Sequence, residues 1–134
     1  MNALPLYLHL LGAATWLGGL IWLGVSTVIA ARSLPREQFR PLVRRLGRGF
    51  VAVSVLAWIL IASTGLGFAF QRGWPGLVII KVVLASLVVA ATAAHVVTGA
   101  RPASRGAAVI SRTLSGLILL GTLALFWIGV QLAG

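Results

Sequence analysis

The chain has no cysteine, one methionine and a single acidic residue, Glu37. The missing cysteine excludes disulfides, thiolate metal sites and thiol chemistry together, and leaves the redox compartment unread. With Met1 the sole methionine, thioether ligation of copper(I) has almost nothing to work with. Glu37 lies in an arginine-rich stretch, so no apolar segment carries a carboxylate to relay protons or hold a hard cation, which argues against an ion-driven transporter. Charge of either sign is scarce too: 9% of residues, against roughly one quarter in soluble domains. A water-soluble fold is excluded on that ground.

What fills the chain is apolar: 60% of residues are hydrophobic and the mean hydropathy is +1.06. Charge-free runs cover residues 4–31, 49–71, 82–100 and 113–134, each near or above the ~20 residues that a hydrocarbon core requires. The third run starts earlier, near Trp74, which places Lys81 within the membrane. Backbone polar groups find no water in lipid, and runs of this length lack the short alternating strands of a barrel, so they are predicted to be helices. The expectation is an all-α integral membrane four-helix bundle. It forms one domain over residues 1–134, with helices at about 4–31, 49–71, 74–100 and 113–133. The uncharged first run, without a basic segment before it, reads as a retained helix and not a signal peptide.

Arginine sets the expected orientation. Arg32, Arg36, Arg40, Arg44, Arg45 and Arg48 fall in the first connection and Arg101, Arg105 and Arg112 in the third, against Arg72 in the second. Positive residues stay cytoplasmic, so both termini are expected outside the cytoplasm (N-out, C-out) of a multi-pass protein of the cell membrane. The formal charge of +10 is therefore read as topology, with attraction to anionic headgroups as a by-product, and no nucleic-acid partner is expected. Residues 35–47, bracketed by helix-disfavouring residues, are expected to form a short interfacial helix with Phe39, Leu42 and Leu46 toward lipid.

Ionisable groups inside a membrane are costly and usually face a bundle interior or a wet cavity. Three qualify: His9, Lys81 and His95. At 100° per residue, Gly12, Ala13, Trp16, Gly19, Leu23 and Thr27 share the His9 face, an inward face whose small residues admit a neighbouring backbone. Ser63 and Thr64 on the second helix lie at the level of His9, and Trp127 and Gln131 on the fourth approach that of Lys81. Lys81 and His95 share a face with Val88, Thr92 and Gly99 but stand roughly 21 Å apart along the axis. Each has a plain structural reading as well. His9 hydrogen-bonds a carbonyl or hydroxyl on the next helix, Lys81 snorkels to headgroups, and His95 is an interfacial residue beside Arg101. The five tryptophans read as packing or interface anchors.

The opening Leu8-His9-Leu10-Leu11-Gly12-Ala13-Ala14-Thr15-Trp16-Leu17-Gly18-Gly19-Leu20 resembles the first helix of the copper resistance protein D (CopD) family. The resemblance continues through the arginine-rich connection, Thr64-Gly65, the loop leading to Lys81, and Ala94-His95 to Arg101-Pro102. It implies a cytoplasmic-membrane protein of copper uptake or tolerance, with His9 as an outer metal ligand, joined by the amino terminus of Met1, and His95 as an inner one. A fainter resemblance, carried by His9 and Lys81, is to the HemJ-type protoporphyrinogen oxidases. It implies a b-type haem with His9 as axial ligand and Lys81 attracting a propionate or moving a proton. His9 and His95 occupy different leaflets, so one monomer cannot clamp a haem between them, whereas a twofold homodimer brings equivalent histidines to one depth. A third reading is an accessory subunit of a larger membrane complex. Copper ion and b-type haem are thus the expected cofactors, His9, Lys81 and His95 the binding residues, and the bilayer, a second copy or a larger complex the partners. No residue is assigned a catalytic role.

Overall fold

The computed structural model describes residues 3–99 and 105–133, and among these the chain is helical almost throughout, with no strand. Four helices follow one another: α1 (Ala3–Ser33), α2 (Arg36–Arg72), α3 (Gly76–Gly99) and α4 (Arg105–Ala133). Each contains a stretch long and apolar enough to cross a membrane. The all-α expectation holds, for the reason that produced it: apolar segments of this length satisfy their backbone only within themselves.

The connections are short and chemically explicit. The amide of Leu34 still donates to the carbonyl of Ala30 at 3.0 Å, closing α1, and the Pro35 carbonyl then accepts the amides of Gln38 and Phe39, both at 3.0 Å, to start α2. Proline suits that place because its missing N–H would have no partner in a first turn. At the other end of α2, Gly73 adopts φ +69°, the left-handed stop that costs glycine little. Pro75 then accepts from Val78 at 2.9 Å and Ile79 at 3.2 Å to open α3.

The helix boundaries differ from the sequence reading at two informative places. Residues 35–47 are not a separate interfacial helix; residues 36–47 are the first third of α2, which runs 37 residues through Pro41, Gly47 and Gly49. No positive φ occurs at either glycine. A mid-helix glycine costs only about 1 kcal/mol, too little to stop a helix with propagating hydrogen bonds on both sides. At 1.5 Å per residue α2 is roughly 55 Å long, well beyond the ~30 Å hydrocarbon core. Likewise α4 begins at Arg105 and not near 113.

The chain forms two compact units, Met1–Gln71 and Arg72–Gly134. In the first, α1 and α2 run antiparallel and meet along small residues. A Cβ added to Gly12 would stand 2.9 Å from the Ala57 carbonyl oxygen, and one on Gly19 would stand 2.8 Å from the Phe50 ring. Trp16, 2% exposed, fills the space between them, with its ring 5.5 Å from Phe50 and 5.2 Å from Trp58. In the second unit Val88, Ile118 and Thr122 are buried, and a Cβ on Gly121 would come within 2.6 Å of Val88 Cγ2. Close backbone approach at glycine is how helices associate where lipid removes any hydrophobic drive.

Among the described residues most hydroxyls also bond within their own helix. Thr27, Ser54, Ser63, Ser86, Thr92, Thr113, Ser115 and Thr122 each donate to the carbonyl four residues back in their own helix, at 2.6 to 3.1 Å. They satisfy themselves and so remain tolerable in hydrocarbon. Large apolar side chains such as Trp22, Leu56, Phe70, Leu87 and Leu120 are exposed, the surface a bilayer would cover.

Candidate functional site

Of the three ionisable groups, His9 belongs to the first unit and Lys81 and His95 to the second. His9 lies two turns into α1, half-buried, and its Nδ1 is 2.9 Å from Thr64 Oγ1 on α2. Two further α2 residues enclose the ring. Phe68 meets it edge-on, with centroids 5.9 Å apart, and Gly65 leaves room that a Cβ would narrow to 3.3 Å from His9 Cε1. Phe68 shares a flank with both Thr64 and Gly65, being four residues from one and three from the other.

The network suits one tautomer of the ring. Thr64 has one hydroxyl proton, and its oxygen lies within hydrogen-bond reach of the Leu60 carbonyl, which can only accept. When Oγ1 directs its proton to Leu60 it can accept from His9, an arrangement that suits a neutral ring with the proton on Nδ1 and the lone pair on Nε2. A histidine whose Nδ1–H is held by an oxygen while Nε2 bears the lone pair has the form in which imidazole binds a metal.

Lys81, one turn into α3, is half-buried, and its ammonium reaches across to α4, where a Cβ on Gly129 would lie 3.2 Å from Nζ. The level was legible in the sequence, as Trp127 and Gln131 flank Gly129. Gly129 itself was not, because it has no side chain to advertise it. Trp127 and Trp74 are exposed at this same end of the α3–α4 pair, where amphipathic rings suit a membrane–water boundary. His95 is half-buried on α3, 14 residues from Lys81 and therefore roughly 21 Å along the axis; the structure does not bring these two together. Arg101, its expected neighbour, and Met1 lie outside the described residues.

Nothing else gathers ligands: among the described residues no group of three or more His, Asp or Glu side chains converges. Trp58 adds one unmet polar atom, since its Nε1 is buried without a hydrogen-bond partner among the described residues.

Comparison with curated proteins finds no match. Comparison with solved structures finds none either. A family model does match, over residues 11–133, a span that starts just after His9 and includes Thr64, Lys81 and His95. On that match the chain belongs to the family described as a domain of unknown function (DUF4149).

Proposed function

We propose that this is a multi-pass protein of the cytoplasmic membrane, with both termini away from the cytoplasm, in which His9 is a prepared ligand for a metal centre, and that the centre is a b-type haem. The observation that carries this is the His9–Thr64–Leu60 relay, which suits a ring with its proton on Nδ1 and its lone pair on Nε2. The relay also orients the ring, as an outer-shell partner of a ligating histidine does.

Coordination arithmetic supports haem over copper. A porphyrin supplies four nitrogens and asks the protein for one or two axial ligands, which His9 alone can begin to meet. A copper ion needs its whole shell from side chains, and no second imidazole or thiolate stands beside His9 among the described residues of its unit. Haem bound here would supply one-electron chemistry; the residues of this chain hold and orient it, with His9 as ligand, Thr64 as its positioning partner and Phe68 as the apolar wall. Lys81, on α3 of the second unit, is a cation suited to a carboxylate. Copper remains the second reading, supported by the CopD-like run of residues 8–20.

The test is the visible spectrum of protein purified from haem-replete cells, oxidised and reduced, with metal analysis of the same sample. A Soret band that disappears in His9→Ala is the expected result. A colourless protein that retains copper in a His9-dependent way would replace haem by copper, and a colourless, metal-free protein would overturn both.

A further inference from the structure

The first third of α2 carries a feature that neither His9 nor the membrane span uses. Arg40, Pro41, Arg44, Arg45 and Arg48 line a recess of about 310 Å³, at the lower end of the ~300–1,000 Å³ typical of small-ligand sites. The spacing of four places Arg40, Arg44 and Arg48 along one flank, with Arg45 beside them. All four arginines are exposed, and among the described residues none forms an ion pair with Glu37, the chain's one carboxylate. Like charges four apart on a helix repel weakly, by about 0.2–0.5 kcal/mol per pair, so an anion among the guanidinium groups would relieve this flank.

The neighbouring helix says which kind of anion. The register of the α1–α2 pair, with Gly12 against Ala57 and Gly19 against Phe50, continues to the connection at Leu34 and Pro35. It sets Arg40 to Arg48 alongside residues 21–29 of α1. There Trp22, Val25, Val28 and Ile29 are all exposed. A basic recess at the level of open apolar surface on α1 matches an amphiphile, with phosphate at the arginines and the upper part of the acyl chains against α1. A free anion would leave the apolar half uncovered.

We propose that this recess binds the headgroup of an anionic phospholipid, and that a lipid with two phosphodiesters fits it best. Four guanidinium groups spread over eight residues, roughly 12 Å of helix, are more than one phosphate engages. Arginine forks pair two oxygens of a phosphate at once. The apolar run of α2 begins at the residue after Arg48, so the recess starts where headgroups start.

The experiment is native mass spectrometry of the full chain released from mixed micelles containing phosphatidylcholine, phosphatidylglycerol and diphosphatidylglycerol in equal amounts. Retention of diphosphatidylglycerol is expected first, phosphatidylglycerol second and phosphatidylcholine last. Each Arg→Gln change among Arg44, Arg45 and Arg48 should weaken retention about fivefold. The triple Arg→Lys variant preserves the charge that sets topology and should lose the preference for two phosphates while keeping that for anionic lipid. Equal retention of all three lipids, or a preference unchanged in the Gln variants, would overturn the proposal. So would its abolition by millimolar inorganic phosphate, which would mark a site for free anions.

Discussion

A histidine in an apolar hairpin has two ring nitrogens to account for, and in His9 the first is accounted for by Thr64. Replacing Thr64 with valine keeps the shape and removes the acceptor, leaving Nδ1–H with about 1–3 kcal/mol of unmet hydrogen bonding. If His9 ligates a haem, Thr64→Val should retain the chromophore but shift its reduction potential and reduced bands, and Thr64→Ser should restore both. A spectrum and potential indifferent to Thr64→Val would mean that the relay does not position the ring. How far this site was readable follows from the same residues. Helical periodicity and distance from helix ends put His9 and Thr64 at one level, and a hydrogen bond to a hydroxyl on the next helix was among the readings offered. Phe68 was missed although it sits one turn beyond Thr64, because an apolar ring in an apolar run carries no signal. Gly129 was missed for the complementary reason: its contribution is space.

At the scale of elements, the contacts that hold each pair of helices are glycine contacts, and they make opposite predictions from surface glycines. Gly121→Ala would drive its new methyl to 2.6 Å from Val88 Cγ2, and valine is stiff about χ1. The expected cost is about 1–3 kcal/mol, seen as a lower unfolding midpoint in detergent. Val88→Ala in the same chain should recover part of it, and two strictly additive losses would argue that the pair does not touch. Gly24, with open space around it, should accept alanine without loss. Helix existence and face were legible because apolar length and small-residue spacing report them directly. The join between residues 36–47 and the rest of α2 was not, since Pro41, Gly47 and Gly49 look like punctuation in sequence, while the two glycines cost only about 1 kcal/mol each and Pro41 falls close to the start of the helix.

For the whole molecule, the asymmetry of arginine between connections makes an orientation testable in a chain that offers its own clean background: with no native cysteine, any introduced thiol is the only one. Gln38→Cys, in the basic third of α2, should resist an impermeant maleimide in intact cells, whereas Gln71→Cys at the opposite end of that helix should react. The reverse pattern would invert the proposed topology and place His9 on the cytoplasmic side.

The length of α2 has a mechanical consequence. From Leu42 onward no proline or left-handed residue interrupts it before Gly73, so the segment joining Arg48 to Thr64, about 24 Å of helix, is a rod without a joint. A rod does not absorb a push at one end; it tilts, slides or turns as a body. Whatever draws the arginines toward or away from one face of the bilayer is therefore delivered, as displacement of a hydroxyl oxygen, to the imidazole near the other.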